Sequence, residues 1–592
     1  MASPDDKKMD GDLEKGTAGA ESSPYSTDVE ITEEQEKFVE DYPPPDVDHD
    51  EAEWLDWGHQ VDLQSQKSHT AELVSAADSK SFPGEALKRT ATQASTKSRL
   101  SRIASRLTTK SKKETLSREE LPCTDLDAGI VGWESQDDPQ MPLNFAQNRK
   151  WLLLGLISAI TFISPLASSM FAPGVSFMDE TFHNTNTTLS AFTVSIFVLG
   201  YVIGPLILSP LSEIYGRRPV LGSANAFFCI WQIGCALAPN ISTLIVFRFF
   251  AGLGGAGCLT IGGGVIADLF HREQRGLATS VYGVGPLLGP VIGPICGGFI
   301  AERAGWRWVF WVLLVSATIT TIGIEILNRE TNPRVLIRRK TRLLRVSLNR
   351  PELRSCYDTS GEQPKTTVLL NGLLRPLKML FLSPIVFILA LYMSIVYGLL
   401  YLLFTTITGV FQSSYGWNPE ICGLAYIGVG LGFFLGLAVV ARLSDVTVIR
   451  MTKANNGVFE PEMRLPACVF FAMFIPITFF WYGWAAEKKV QWIVPILGLA
   501  PFGFGMIGIF MPIQTYLIDS FPEFAASAIA ALTASRSLFG ALLPLAAPSM
   551  YSKLGLGWGN SILGFIAVAL IPAPALIYKF GGQIRKNHPI VL

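Results

Sequence analysis

Apolar runs of roughly 20 residues, each able to cross the hydrocarbon core of a bilayer as a helix, recur twelve times after residue 150. They begin near Trp151, Leu189, Val220, Ser242, Ala278, Val309, Phe381, Ile421, Leu465, Gln491, Ala525 and Gly559. Hydrocarbon offers no partner to backbone N–H and C=O groups, so each run must close its own hydrogen bonds as a helix. The expected fold is therefore an all-α polytopic membrane protein with twelve spans. They divide six and six, giving bundles over residues 150–327 and 380–580, joined by a polar central loop over 328–379. Residues 581–592 form a short tail.

Charge is rationed accordingly: only 16% of residues are Asp, Glu, Lys or Arg, while 49% are hydrophobic. Arg149, Lys150, Arg217, Arg218, Arg272, Arg275, Arg442, Arg450, Lys453, Arg464, Lys579, Arg585, Lys586 and the basic central stretch fall on one side of the alternating spans. Only Arg303, Arg307, Lys488, Lys489 and Lys553 fall on the other, so the positive-inside rule places both termini and the central loop in the cytoplasm. The sequon at Asn186 then faces outward as a glycosylation site. Residues 1–149 contain no signal peptide. Rich in Asp, Glu, Pro, Ser and Thr, they are expected to be a disordered cytoplasmic tail.

Cysteines 123, 229, 235, 258, 296, 356, 422 and 468 lack CxxC or zinc spacing, and all six histidines lie outside the spans, so no metal site is expected. No GxxxxGK[ST] loop, HExxH or nucleophile elbow occurs, which disfavours an ATP-driven pump or a membrane enzyme. Nothing points to nucleic acid. The expected partners are a lipid bilayer and a small molecule, with the chain acting as a monomer.

Gly285-Pro286, Gly289-Pro290 and Gly293-Pro294 repeat every four residues within the fifth run, continued by Gly297 and Gly298. Residues four apart share a helix face, so the glycines form a stripe that a neighbouring helix can approach closely. Between the halves, Leu211-Ser212-Glu213 is echoed by Leu443-Ser444-Asp445, and Arg248 in the fourth run by Arg536 near what reads as the matching place. Duplication of one half accounts for both echoes.

These motifs resemble the major facilitator superfamily in its fungal twelve-span drug:proton antiporter form. The resemblance rests on Gly204 to Val220, containing Leu211-Ser212-Glu213 and Gly216-Arg217-Arg218, on Arg248 with Gly252, and on Gly285 to Gly298. Asp137-Asp138-Pro139, Pro142-Leu143-Asn144, Trp306-Arg307-Trp308 and Glu330-Thr331 fit the same group. Glu213 stands where the superfamily pattern has Asp, and Ala251 where the fourth-span motif often has Gln. The resemblance implies alternating access driven by a proton gradient, with no organic cofactor.

The residue types suggest roles. Glu213, Gly216, Arg217, Arg218 and Asp445 sit at helix ends, where opposite charges can latch neighbouring helices. Arg248 and Arg536, with Asn225, Gln232, Tyr397 and Tyr401, are polar or aromatic groups at membrane depth and are expected to line the cavity. Ser164, Ser168, Tyr392, Tyr426 and Gln514 are further lining candidates. No Asp or Glu lies in the middle of a span, so rim carboxylates such as Glu213 or Asp268 are the candidate proton carriers. The function expected is export of small amphipathic drugs, toxins or secondary metabolites. An uptake carrier or nutrient sensor of the same fold is the alternative.

Overall fold

The computed structural model describes residues 121–358, 365–455, 458–521 and 524–587. Contacts divide the chain into two units, one of which contains residues 340–353 and the other all the spans. Within the first, Arg345 Nε donates to the Leu353 carbonyl at 2.8 Å and Arg350 pairs with Glu352.

Among the described residues, eleven helical segments are long and apolar enough to cross a membrane. The last, Ala525–Arg585, has 61 residues. At 1.5 Å per residue that is about 90 Å, enough for two crossings of about 30 Å each. Gly555, at φ +74°, breaks it in two. Only glycine adopts that backbone without strain, and the Glu487 carboxylate accepts the freed Leu556 N–H at 2.9 Å, capping the new helix. Twelve spans result among the described residues.

Their packing repeats with a shift of six. The first span (Gln147–Thr181) runs along the fifth (Leu277–Arg303), and the seventh (Pro384–Tyr415) along the eleventh. The second (Thr187–Ile214) packs on the fourth (Ile241–Leu269), as the eighth (Pro419–Ala454) packs on the tenth (Ile493–Ser520). The third (Arg217–Ala236) lies against the sixth (Trp306–Leu327), as the ninth (Pro461–Glu487) lies against the twelfth. Two six-helix halves follow. They meet where the eleventh span packs on the second and where the eighth begins against the fifth. This register corrects one expected echo: Arg536 lies in the eleventh span, the counterpart of the fifth, so it is not the equivalent of Arg248 in the fourth.

A disordered tail is expected to run to residue 149, but residues 121–146 are folded. A turn brings Asp125 against Ile130, and β1 (Ile130–Val131) pairs in parallel with β2 (Arg354–Ser355). Val131 and Trp133 are fully buried, and Trp133 Nε1 donates to the Tyr357 hydroxyl at 3.1 Å. Burial raises the Tyr357 pKa, keeping that oxygen a neutral acceptor. Asp138, also buried, accepts from the Glu134 and Gln140 N–H groups. The ordering partner lies more than 200 residues away, out of reach of any local reading of composition. Residues 1–120 lie outside the described residues.

The central segment is likewise not a plain loop. It holds a helix over Pro333–Ser347 and another over Lys365–Leu382. In the first, Ile337 and Leu344 are buried at helical spacing among arginines. The second packs across the second and eleventh spans, where Gly372 meets Pro210.

Candidate functional site

The fifth span stays helical through Pro286, Pro290 and Pro294. Its glycine stripe faces the first span: a Cβ on Gly285 would stand 3.1 Å from the Phe162 nitrogen, and one on Gly289 would stand 2.8 Å from the Leu166 nitrogen. Gly293 meets Leu166 and Ser169, and Gly297 abuts the Met170 carbonyl. Gly298 turns instead to the other half, where its Cβ would lie 2.8 Å from the Pro419 carbonyl. Beside that contact, Arg303 Nε lies 3.1 Å from Glu420 Oε2, and Glu302 accepts the Glu420 N–H at 2.8 Å. A helix of the N-terminal half and the start of one in the C-terminal half are thus clasped at the end opposite Arg217.

At the basic end, Gly216 adopts φ +105° and the Glu330 carboxylate fills the space a side chain would take. That carboxylate accepts the backbone N–H groups of Arg217 (2.8 Å), Arg218 (3.2 Å), Thr331 (2.9 Å) and Asn332 (2.8 Å). It therefore caps the third span and sits on the positive end of its dipole. Arg217 Nε pairs with Asp268 at 3.2 Å while its NH1 donates to Ser212 at 2.7 Å. Arg218 lies 3.7 Å from Glu325. Glu213 is exposed and makes no ion pair with a described residue. Of the residues expected to form a latch, Gly216, Arg217 and Arg218 meet Glu330, Asp268 and Glu325 here, and Glu213 is not among their acid partners. The Asp445 side chain lies outside the described residues.

The second half repeats the network. Arg464 at the start of the ninth span pairs with Asp519 at the end of the tenth, as Arg217 at the start of the third pairs with Asp268 at the end of the fourth. Arg585 at the end of the twelfth span reaches Glu462 at 3.3 Å, an inverted-charge counterpart of Arg218 with Glu325. The sequence does carry the signal: Asp268-Leu269-Phe270 and Asp519-Ser520-Phe521 close the fourth and tenth spans alike.

At mid-membrane the seam between the halves is hydroxyl-rich and aromatic. Ser168 Oγ shares a hydrogen bond with the Tyr401 hydroxyl at 2.9 Å, bridging first and seventh spans. Ser164 Oγ and the Tyr201 hydroxyl are 2.6 Å apart. The Tyr401 and Tyr397 rings lie 5.1 Å apart, and the Arg536 guanidinium stands 5.0 Å from Tyr397 and 4.8 Å from Phe510. Gln514, one turn from Phe510, is half-buried. Tyr397, Tyr401 and Arg536 are thereby brought together.

Other expected cavity residues are enclosed beside the seam or lie away from it. Arg248 is 1% exposed inside the N-terminal half, donating to the Ser168 and Val194 carbonyls at 3.4 Å and faced by Phe171, Phe197 and Phe310. Backbone oxygens and ring faces partner the charge, so no cavity is required to solvate it. Asn225 and Gln232 are buried in the third span, which packs on the fourth and sixth, away from the seam. Tyr426 is spent on Thr408 and the Phe404 carbonyl, and Tyr392 is buried. Asn186 is exposed and its side chain caps the second span.

Two pseudo-symmetric helical halves, with charged networks at their ends and a polar aromatic seam between them, define a membrane carrier. The profile of the Major Facilitator Superfamily matches residues 157–544, and the chain belongs to that family of non-enzymatic transporters. It is 50% identical over 461 residues to the MFS-type transporter penM of Penicillium rubens, covering 78% of this chain and 90% of that one. The MFS transporter cpaT of Aspergillus oryzae is 47% identical, with 77% and 92% covered. The efflux pump radE of Floropilus chiversii is 45% identical, with 78% and 86% covered. Among solved structures, the xylose transporter XylE of E. coli superposes with a TM-score of 0.53 at 19% identity, covering 73% of this chain and 98% of its own. That likeness establishes the fold alone.

Proposed function

We propose that this transporter exports small amphipathic molecules, such as drugs, toxins or secondary metabolites, from the cell by alternating access coupled to proton entry. The observation that carries the reading is the seam: aromatic rings, serine and tyrosine hydroxyls and one guanidinium, without a carboxylate among the described residues at that depth. Such a surface suits a flat, weakly polar body. The 45% identity to a protein named an efflux pump supports the direction.

Rocking of the halves would expose the seam to each side in turn, with the stripe-packed first and fifth spans moving as one block. Asp268, held by Arg217 at the rim, is the proposed proton carrier. The proton gradient serves as the driving force in place of any organic cofactor or metal. The basic end faces the cytoplasm with both termini, in accord with the arginine bias, and the protein works as a monomer in the plasma membrane with Asn186 outside as the glycosylation site. Accumulation of labelled compounds in cells with and without the protein tests the reading. Export lowers accumulation, whereas an uptake carrier raises it.

A further inference from the structure

Arg248 and Arg536 differ in what surrounds them. Arg248 is enclosed: carbonyls meet its NH2 and three rings cover it. Arg536 is half-buried, its guanidinium lies against Tyr397 and Phe510, and it makes no hydrogen bond or ion pair with any described residue. Its Nε, like that of Arg248, is buried without a partner, so the two differ at the outer edge of the fork: Arg248 NH2 meets two carbonyls, and the Arg536 nitrogens meet no described acceptor. A guanidinium is a planar fork of N–H donors, so ring faces above it leave the donating edge unused. A cation left unpaired at membrane depth marks a ligand or ion path.

The edge lies at the seam. Gly540, one turn further along the same helix face, would place a Cβ 3.3 Å from Val198 of the second span and 3.0 Å from Tyr397. The Ser168–Tyr401 bond crosses between the halves beside the same pair of tyrosines. Tyr397 thus touches the guanidinium, the seam-facing glycine and the bridging Tyr401.

Resting on the export reading, the geometry points to Arg536 as the anchor for the ionised group of the cargo, an amphipathic organic acid. Its carboxylate or ionised enol takes the free N–H edge, and its flat apolar body lies against Phe510 and Tyr397. Charge-assisted bonds of this kind are short and directional, and a bidentate fork distinguishes an oxyanion from an ester. Arg248, sealed in its half, takes no part in selection.

The test uses cells expressing the full chain or an empty vector, loaded with anthracene-9-carboxylate, its methyl ester or (anthracen-9-ylmethyl)trimethylammonium. Initial efflux rates are normalised to folded protein at the cell surface. The wild type is expected to export the carboxylate fastest and the permanent cation least. Arg536→Gln should slow carboxylate efflux at least about tenfold while changing ester efflux less than about twofold. Arg536→Lys, which keeps charge without the fork, should fall between, and it carries the test if the glutamine variant folds poorly. Equal losses for acid and ester, or an unaffected carboxylate, would overturn the assignment while leaving export standing. Retention of all three compounds by wild-type cells, as in empty-vector cells, would overturn both.

Discussion

A buried charge is stabilised by whatever surrounds it, and Arg248 has ring faces and carbonyls in place of a carboxylate. Truncating it removes a large side chain from a packed interior and frees the Ser168 and Val194 carbonyls from their donor. Arg248→Ala should therefore cost about 2–4 kcal/mol of stability, seen as a lower unfolding temperature and surface yield. The ratio of acid to ester transport by the surviving protein should stay unchanged. A shifted ratio at normal stability would place Arg248 in the substrate path after all. Both arginines read alike in the sequence because a period of 3.6 assigns a residue to a helix face but says nothing of what stands opposite. Phe171, Phe197 and Phe310 come from three other spans, and their convergence is a product of folding.

Helix ends explain the charged network. Glu330 satisfies four backbone donors at the junction of the third span and the central segment, whereas Glu213 is exposed and unpaired among the described residues. Glu330→Gln keeps the shape but removes the charge from the helix dipole, a loss of about 1–2 kcal/mol. Transport should slow several-fold at normal expression, while Glu213→Ala should change the rate less than twofold. The reverse ranking in a rate assay would restore Glu213 as the latch. In the fifth span, Gly289→Leu forces a branched side chain against the Leu166 backbone, where even a Cβ would stand at 2.8 Å. Activity should fall at least tenfold, against a modest loss for the off-stripe Leu288→Ala, and equal losses in the same assay would deny the stripe its role. The stripe was legible because its period alone fixes the face. The acid partners were less so, since Asp268, Glu325 and Glu330 are far from the arginines in sequence. The folded segment before the first span was hidden for the same reason: β1 finds its partner in β2 only in three dimensions.

Over the whole molecule, the contacts between the two halves at the end opposite Arg217 include an exposed ion pair and a close backbone approach, and their magnitudes separate the two. Arg303, 72% exposed, pairs with Glu420, and an exposed ion pair contributes about 0.2–1 kcal/mol, less in salt. Arg303→Ala should shift the balance of conformations no more than about fivefold. The backbone approach is less forgiving. A Cβ on Gly298 would stand 2.8 Å from the Pro419 carbonyl, and one on Gly423 would meet the Pro294 carbonyl at 2.5 Å. Neither neighbour is a flexible side chain that could swing away, so a larger residue must hold the halves apart, and overpacking of this order costs about 1–3 kcal/mol. Gly298→Val and Gly423→Val should therefore bias the carrier toward conformations open at that end by about tenfold or more, the pair acting far more strongly than Arg303→Ala. The measurement is the rate at which a membrane-impermeant thiol reagent reaches a cysteine placed at Gly540, in a variant whose eight native cysteines are replaced by serine or alanine. Faster labelling from that side, in the order valine variants above Arg303→Ala above parent, is the expected result. Equal labelling in all of them would mean that the two glycines merely pack, and that the seam is held shut elsewhere.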